Sequence, residues 1–212
     1  MLHLRYARVS FFVTQDRSMP QTSSIPQDQW LFTYGSLMWS PDFDFLECQP
    51  ATIYGWHRAL CILSLVYRGT SDRPGLVLGL DRGGRCVGRA YRIAADRWDP
   101  VRTHLDRREL VNDVYQTRWL RTHLADGRVT TAYGYVARRD HPQYWSGSKS
   151  EAAKIISMAI GKNGRSYDYV RNTINDLMSL GIQDHSLNGI IRMVDHSSIV
   201  SALSNDGPGE DC

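Results

Sequence analysis

The feature that most constrains the fold is the order of its segments, with strand-like runs up to residue 137 and helix-like runs after residue 142. The pair Gly83-Gly84 separates two of the strand-like runs and predicts a hairpin turn. Strands in front and helices behind favour an α+β protein, in which a small mixed or antiparallel sheet curls or closes into a barrel with C-terminal helices. The runs are rich in β-branched and aromatic residues, are bounded by Gly, Pro and Asp, and lie at 30–34, 51–56, 60–67, 76–81, 86–93, 114–124 and 129–137.

Apolar residues at helical spacing predict one helix between the strands and further helices in most of the C-terminal third of the sequence. Asp99 is expected to cap a helix that places Val101 and Leu105 on one face. Beyond this helix and the last strand, apolar residues recur at helical intervals in three stretches. The sequence therefore predicts one helix over 151–160, one that ends before Gly181, and one that begins behind a cap at Asp184.

The two ends of the chain differ from the middle because they show no apolar periodicity. We expect flexible tails at residues 1–28 and 198–212 around one catalytic domain at 29–197. The net charge of +3 and the absence of a basic stripe argue against a nucleic-acid partner. The longest apolar run, 59–67, is short of the roughly 20 residues that span a bilayer, and no signal peptide is readable. A soluble cytoplasmic protein without membrane partners, monomeric or weakly dimeric, is the expectation.

Metal and phosphate-loop chemistry find no support in the spacing of the residues. The seven histidines form no HxxxH or HxH pair, and the four cysteines form no CxxC pair. The segment Gly147-Ser148-Lys149-Ser150 is similar to part of a phosphate loop, but Pro142 stands where the first glycine is required. We expect a polar loop before a helix there, no metal and no cofactor.

Two places carry candidate chemistry. Gly35 and Ser36 follow an apolar strand and expose backbone N–H groups that can bind a carboxylate or phosphate, although a plain tight turn explains them too. Glu109 ends the predicted helix, where the negative end of the helix dipole is expected to raise the pKa of its carboxyl group. Arg107 and Arg108 are expected to point elsewhere, and a solvated charge run is the alternative interpretation.

These residues belong to a longer series of motifs that extends from about Trp30 to Val194. The series includes Tyr34-Gly35-Ser36-Leu37, Gly55-Trp56-His57-Arg58, Tyr67-Arg68-Gly69-Thr70, Arg108-Glu109 and Tyr115. It resembles the ChaC family, the glutathione-specific γ-glutamylcyclotransferases. The resemblance implies that the α-amine of glutathione attacks its own γ-amide carbonyl, which yields 5-oxoproline and cysteinylglycine without a metal or cofactor.

The resemblance also implies a role for each matching residue. Glu109 is the general acid and base, and the substrate-binding residues are Tyr34, Gly35, Ser36, Leu37, Tyr115, Tyr144 and Arg68. Tyr115 and Tyr144 could instead be core aromatic residues, and Arg68 and Arg58 could instead be structural ion-pair partners. Asn112-Asp113-Val114 precedes Tyr115 where many members carry Gly-Gly. Two other functions stay open: a cyclotransferase for other γ-glutamyl amino acids or amines, and a non-catalytic regulatory protein.

Overall fold

A closed five-stranded barrel with a layer of helices forms the protein. The computed structural model describes residues 27–205, with the side chains of residues 27–197. The strands follow the order β1-β3-β2-β4-β5 around the barrel, in which β1 and β5 pair in parallel and the other pairs are antiparallel. The predicted α+β class and the sheet that closes into a barrel are confirmed. The barrel strands are β1 (Gln29–Thr33), β2 (Glu47–Ser64), β3 (Gly75–Ile93), β4 (Tyr115–Leu124) and β5 (Val129–Ala137).

The two central strands are much longer than the sequence predicts. β2 has 18 residues and β3 has 19, and they pair along nearly their full length. The predicted hairpin turn at Gly83-Gly84 is wrong, because both glycines lie within β3. Their φ angles of +98° and +66°, and the +80° of Gly55 on the facing strand, bend the pair at a β-bulge instead of reversing the chain. Four predicted runs, at 51–56, 60–67, 76–81 and 86–93, are therefore two strands.

Helix α1 (Trp98–Glu109) interrupts the strands between β3 and β4. It buries Val101 and Leu105, as the spacing predicts. The predicted cap at Asp99 is wrong, because the helix begins at Trp98 and Asp99 lies in its first turn. There its carboxylate accepts a hydrogen bond from Arg102, at 3.2 Å, and caps no backbone N–H group.

The C-terminal helices begin and end at clear signals. Helix α2 (Lys149–Met158) starts behind Ser148, whose hydroxyl accepts the N–H of Glu151 at 3.2 Å while the Glu151 carboxylate accepts the N–H of Ser148 at 2.7 Å. The predicted polar loop holds for Gly147 and the cap Ser148, whereas Lys149 and Ser150 already lie in the first turn of α2. A short hairpin, β6 (Ile160–Gly161) and β7 (Gly164–Arg165), leads to α3 (Ser166–Ser179).

The last helix, α4 (His185–Asn205), begins at the predicted cap. Asp184 Oδ1 accepts the N–H groups of Ser186 and Leu187, each at 3.1 Å. The helix includes residues 198–205, which the sequence analysis assigned to a C-terminal tail. At the other end of the domain, the carboxylate of Asp28 pairs with Arg92 at 2.7 Å. The rest of the two predicted tails, residues 1–26 and 206–212, lies outside the described residues.

Two apolar clusters meet along β2 and β3. The barrel interior contains Phe32, Ile53 and Leu80, while helices α2, α3 and α4 pack against Leu60 and Leu78 of the same two strands. Within residues 27–205, no helix combines the length and the apolar character that a membrane crossing requires.

Candidate active site

A cavity of about 490 Å³ brings together residues that are far apart in the sequence. It lies among the end of β1, the start of β3 and the C-terminal end of α1. Seven of the eight site residues predicted from the sequence line it, and Tyr144 does not. The lining residues important for the argument are Tyr34, Gly35, Ser36, Leu37, Arg68, Leu78, Arg108, Glu109, Tyr115, Tyr135, Asn163 and Tyr169.

The segment 34–37, called the YGSL loop below, forms one wall. A single 3-10 turn, Ser36–Met38, follows the end of β1, and the N–H of Met38 donates to the Gly35 carbonyl at 2.8 Å. Among the described residues, no acceptor reaches the N–H groups of Ser36 and Leu37. A Cβ atom on Gly35 would find nothing within 4 Å, so the backbone here is open to a ligand. Free N–H groups beside open space favour the anion-binding interpretation over a plain tight turn.

Arg58 fixes the position of this loop from behind. Its side chain is only 3% exposed, and its Nε donates to the Tyr34 carbonyl at 2.7 Å. Its other nitrogens donate to the Val87 carbonyl at 2.8 Å and to Asp184 at 3.1 Å. Arg58 is therefore a structural ion-pair partner, which was one of the two interpretations that the sequence left open.

Glu109 is the last residue of α1, and its side chain is 22% exposed. Burial raises the pKa of the Glu109 carboxyl group, the positive charge of Arg108 opposes that rise, and the charge of Asp42 adds to it. The direction agrees with the prediction, whereas the main cause is burial in place of the helix dipole. Arg107 is exposed, but the prediction for Arg108 is wrong: its Nε lies 3.2 Å from Glu109 Oε1, because the long side chain folds back over the helix end.

Partly buried tyrosines line the cavity together with Glu109. Burial raises the pKa of Tyr34 and of Tyr115 well above its usual range, and the nearby charge of Glu109 adds to both rises. Tyr115 donates its hydroxyl proton to the Leu78 carbonyl at 2.6 Å, and the Leu78 N–H donates to the Tyr169 hydroxyl at 3.3 Å. These phenols stay protonated at neutral pH and can act as hydrogen-bond donors or acceptors.

Arg68 reaches the cavity from a loop that is packed unusually tightly. Its guanidinium group donates to the Asn163 carbonyl and lies 5.2 Å from the ring centre of Tyr169. The hairpin of β6 and β7 presses on this loop, since a Cβ atom on Gly161 would lie 2.5 Å from the Gly69 nitrogen and 2.6 Å from that of Arg68. Only glycine permits that approach, so the hairpin fixes where the guanidinium group lies.

Tyr144 lies outside the cavity, in contrast to the prediction. Its hydroxyl donates to Asp81 Oδ2 at 3.0 Å, and Arg139 donates to Oδ1 of the same carboxylate at 2.6 Å. A single β-bridge to Ile62 holds the Tyr144 backbone against β2. The hydroxyl is thus engaged in a structural contact, and the core-aromatic interpretation describes it better.

The sequence predicts no site role for three residues that line the cavity, Arg108, Tyr135 and Tyr169. Tyr135 lies two residues after Tyr133 on β5, and both hydroxyls donate to Asp106, at 2.8 Å and 3.0 Å. The alternation of side chains along a strand puts the two tyrosines on one face, and that signal could have found them. Within the described residues, no group of three His, Cys, Asp or Glu side chains is arranged to hold a metal ion.

The barrel and its helices have the fold of the γ-glutamylcyclotransferases. Two solved structures of a γ-glutamylcyclotransferase specific to glutathione from yeast share this fold, and one has a TM-score of 0.70 at 22% identity, covering 80% of this chain and 96% of that one. The profile of the family described as ChaC-like protein matches residues 29–197. The chain belongs to the ChaC family.

Curated relatives agree with that assignment. The glutathione-specific gamma-glutamylcyclotransferase of Escherichia coli K12 is 37% identical over 163 residues, which are 76% of this chain and 71% of that protein. The protein of the same name from Schizosaccharomyces pombe is 32% identical over 161 residues, which are 66% of this chain and 78% of that protein.

Proposed function

We propose that this chain cleaves glutathione by cyclising its γ-glutamyl group to 5-oxoproline and releasing cysteinylglycine. The observation that carries the proposal is one cavity in which the Glu109 carboxyl group, largely buried, meets a YGSL loop with free N–H groups. The printed names of the bacterial and fission yeast relatives support glutathione as the substrate.

The reaction needs few protein groups because the nucleophile is part of the substrate. The α-amine nitrogen forms a bond to the γ-carbonyl carbon, the bond from that carbon to the cysteine nitrogen breaks, and a five-membered ring results. Intramolecular attack of this kind is worth about 10⁵–10⁸ M of effective concentration when the groups are well oriented. The main task of the cavity is therefore to hold the folded conformer and to exclude water as a competing nucleophile.

Glu109 supplies the proton transfers. An α-amine with a pKa of about 8 is only about one-tenth neutral at pH 7, so a base must take its proton. Glu109 accepts that proton and then delivers one to the departing cysteine nitrogen, a role that typically contributes about 10²–10⁴-fold. Burial supports this role, because a raised carboxyl pKa lies closer to the working pH.

The other cavity residues account for the two ends of the substrate. The free N–H groups of Ser36 and Leu37 suit an anionic group at the γ-glutamyl end. Arg68, which the hairpin holds in the cavity, suits the glycine carboxylate at the other end, because arginine binds carboxylates in a bidentate way. Tyr34 and Tyr169 line the same cavity, and their hydroxyls suit a hydrogen bond to the γ-carbonyl oxygen.

The test is an end-point assay of the purified protein with millimolar reduced glutathione that follows 5-oxoproline and cysteinylglycine. We expect equal amounts of both products, at least about 10²-fold less from Glu109→Gln with binding retained, and a smaller loss from Ser36→Ala. Glutamate in place of 5-oxoproline would indicate a hydrolase. Equal losses from the two variants would mean that Glu109 is not the base.

A comparison substrate decides between glutathione and the broader alternative. γ-Glutamyl-alanine has the same reacting group but lacks the cysteinylglycine moiety. A clear preference for glutathione is expected, whereas equal rates would indicate a cyclotransferase for γ-glutamyl amino acids in general.

A further inference from the structure

The guanidinium group of Arg108 joins the YGSL loop to the proposed base. Its Nη2 donates to Ser36 Oγ at 3.0 Å, and its Nε lies 3.2 Å from Glu109 Oε1. The side chain is 39% exposed and lines the cavity, so a ligand can reach it from solvent. Neither the fold nor the cyclisation chemistry by itself requires a cation at this place.

Asp42 fixes that cation from the other side. Its Oδ2 atom lies 3.2 Å from Arg108 Nη1 and 2.9 Å from Nε2 of His104, which is one turn earlier on α1. Burial opposes the ionised form, but the hydrogen bond with His104 and the charge of Arg108 lower the pKa of Asp42 below its usual value. The carboxylate stays ionised at neutral pH and restricts the guanidinium group to one position.

The contacts of Arg108 leave donors unused. A guanidinium group has five N–H donors. The described hydrogen bonds engage one N–H group of Nη1, to Asp42, and one of Nη2, to Ser36, while Nε forms an ion pair with Glu109. The second N–H groups of Nη1 and Nη2 have no described acceptor. Together with the free N–H groups of the loop they supply several donors to one cavity, and an anion can accept from them.

We infer that Arg108 binds the α-carboxylate of the γ-glutamyl group, and that Asp42 is the positioning residue that holds Arg108 in place. This inference rests on the proposed function and names the specificity of the same cavity. The enzyme selects γ-glutamyl substrates whose α-carboxylate is free.

The arrangement also explains how the amine reaches its base. The carboxylate and the ammonium group of the substrate share one carbon atom, and Arg108 contacts Glu109 directly. A carboxylate bound to Arg108 therefore places the amine beside Glu109. The substrate carboxylate also compensates the positive charge of Arg108, which in the free protein opposes the raised pKa of Glu109. Binding then strengthens the base at the moment when the proton must be removed.

The test pairs a change in the substrate with a change in the protein. The second substrate is glutathione with its γ-glutamyl α-carboxylate converted to a carboxamide. It retains the amine, the γ-carbonyl and the same leaving group, so cysteinylglycine is the readout for both. We expect the wild type to prefer the free carboxylate by about 10- to 100-fold in kcat/KM, the range of a charge-assisted contact.

Arg108→Gln should remove most of that preference, because it should lower kcat/KM for glutathione by more than for the carboxamide, beyond any effect on both substrates that comes from the lost contact with Glu109. Arg107→Gln is the matched control, since it removes the same charge from the adjacent exposed residue and should keep the preference. Asp42→Asn should reduce the preference mainly through a higher KM for glutathione. If Arg108→Gln fails to fold, Arg108→Lys, which retains the charge without the planar fork, should retain part of the preference.

The outcomes separate the two proposals. An Arg108→Gln protein that slows both substrates equally would overturn the inference, as would a wild type without a preference, and both would leave the proposed function intact. A folded wild type that releases cysteinylglycine from neither substrate would overturn the proposed function and this inference with it.

Discussion

Asp184 stabilises the protein through two separate interactions, and its substitution tests both. Oδ2 pairs at 3.1 Å with the buried guanidinium group of Arg58, and the two side chains are 12% and 3% exposed. Oδ1 accepts the first N–H groups of α4. Asp184→Ala removes both interactions, whereas Asp184→Asn removes the charge and keeps an oxygen that can cap the helix.

The burial of the pair sets the expected magnitudes. Removal of one partner from a buried ion pair costs about 3–5 kcal/mol, and loss of an N-cap adds about 1 kcal/mol. Asp184→Ala should therefore lower the free energy of unfolding by about 4–6 kcal/mol, a large part of the roughly 5–15 kcal/mol of a typical domain. For Asp184→Asn we expect about 1–3 kcal/mol, because a neutral hydrogen bond replaces a charge-assisted one.

Equilibrium unfolding in urea measures these losses, provided that the slope of the free energy against urea is the same for all variants. Asp96→Ala, at an exposed position, is the control and should stay close to the wild type. A loss below about 1 kcal/mol for Asp184→Ala would refute the buried-pair reasoning, since that is what an exposed pair contributes. Equal losses for Ala and Asn would refute a separate contribution from the cap.

Two further predictions concern residues of the site analysis. Glu109→Gln should stabilise the protein at pH 8 more than at pH 4. Burial raises the native-state pKa of Glu109 above its unfolded value, so the carboxyl group lowers the stability of the native protein as pH rises through the native-state pKa. Glutamine does not ionise and avoids this loss. Thermal unfolding at both pH values measures the effect, and a Tm gain that is larger at pH 4 would contradict it. Tyr144→Phe should leave kcat/KM for glutathione unchanged and cost about 1 kcal/mol through the lost hydrogen bond to Asp81. Steady-state kinetics and urea unfolding would check both parts, and a raised KM would show that Tyr144 contacts the substrate.

Local patterns predicted the elements that local interactions determine. The cap at Asp184, the buried face of α1 and the strand before Gly35 follow from residues within a few positions of each other. Gly83-Gly84 misled the prediction because the same left-handed backbone that closes a hairpin also bends a continuous strand. The facing residue Gly55 decides between the two, and only the pairing of β2 with β3 brings it there.

In the candidate site, too, local motifs could be predicted from the sequence and long-range contacts could not. Glu109 and the YGSL loop were found from short motifs, and the structure brings them into one cavity. The orientation of Arg108 could not be predicted, because its partners Ser36 and Asp42 are 72 and 66 residues away in the sequence. The hydrogen bond from Tyr144 to Asp81 could not be predicted for the same reason, because the two residues are 63 positions apart in the sequence.

The two long bent strands have a consequence for how the enzyme can evolve and be engineered. β2 and β3 supply Ile53 and Leu80 to the barrel interior and Leu60 and Leu78 to the interface with the helices. The backbone of Leu78 also contacts the cavity, since its N–H donates to the Tyr169 hydroxyl and its carbonyl accepts from Tyr115. The helical layer and the barrel therefore share the same two strands and form one packed unit. A substitution that loosens the packing of α3 or α4 also displaces the start of β3, which lines the cavity. Substitutions far from the substrate can therefore change the turnover number of the enzyme.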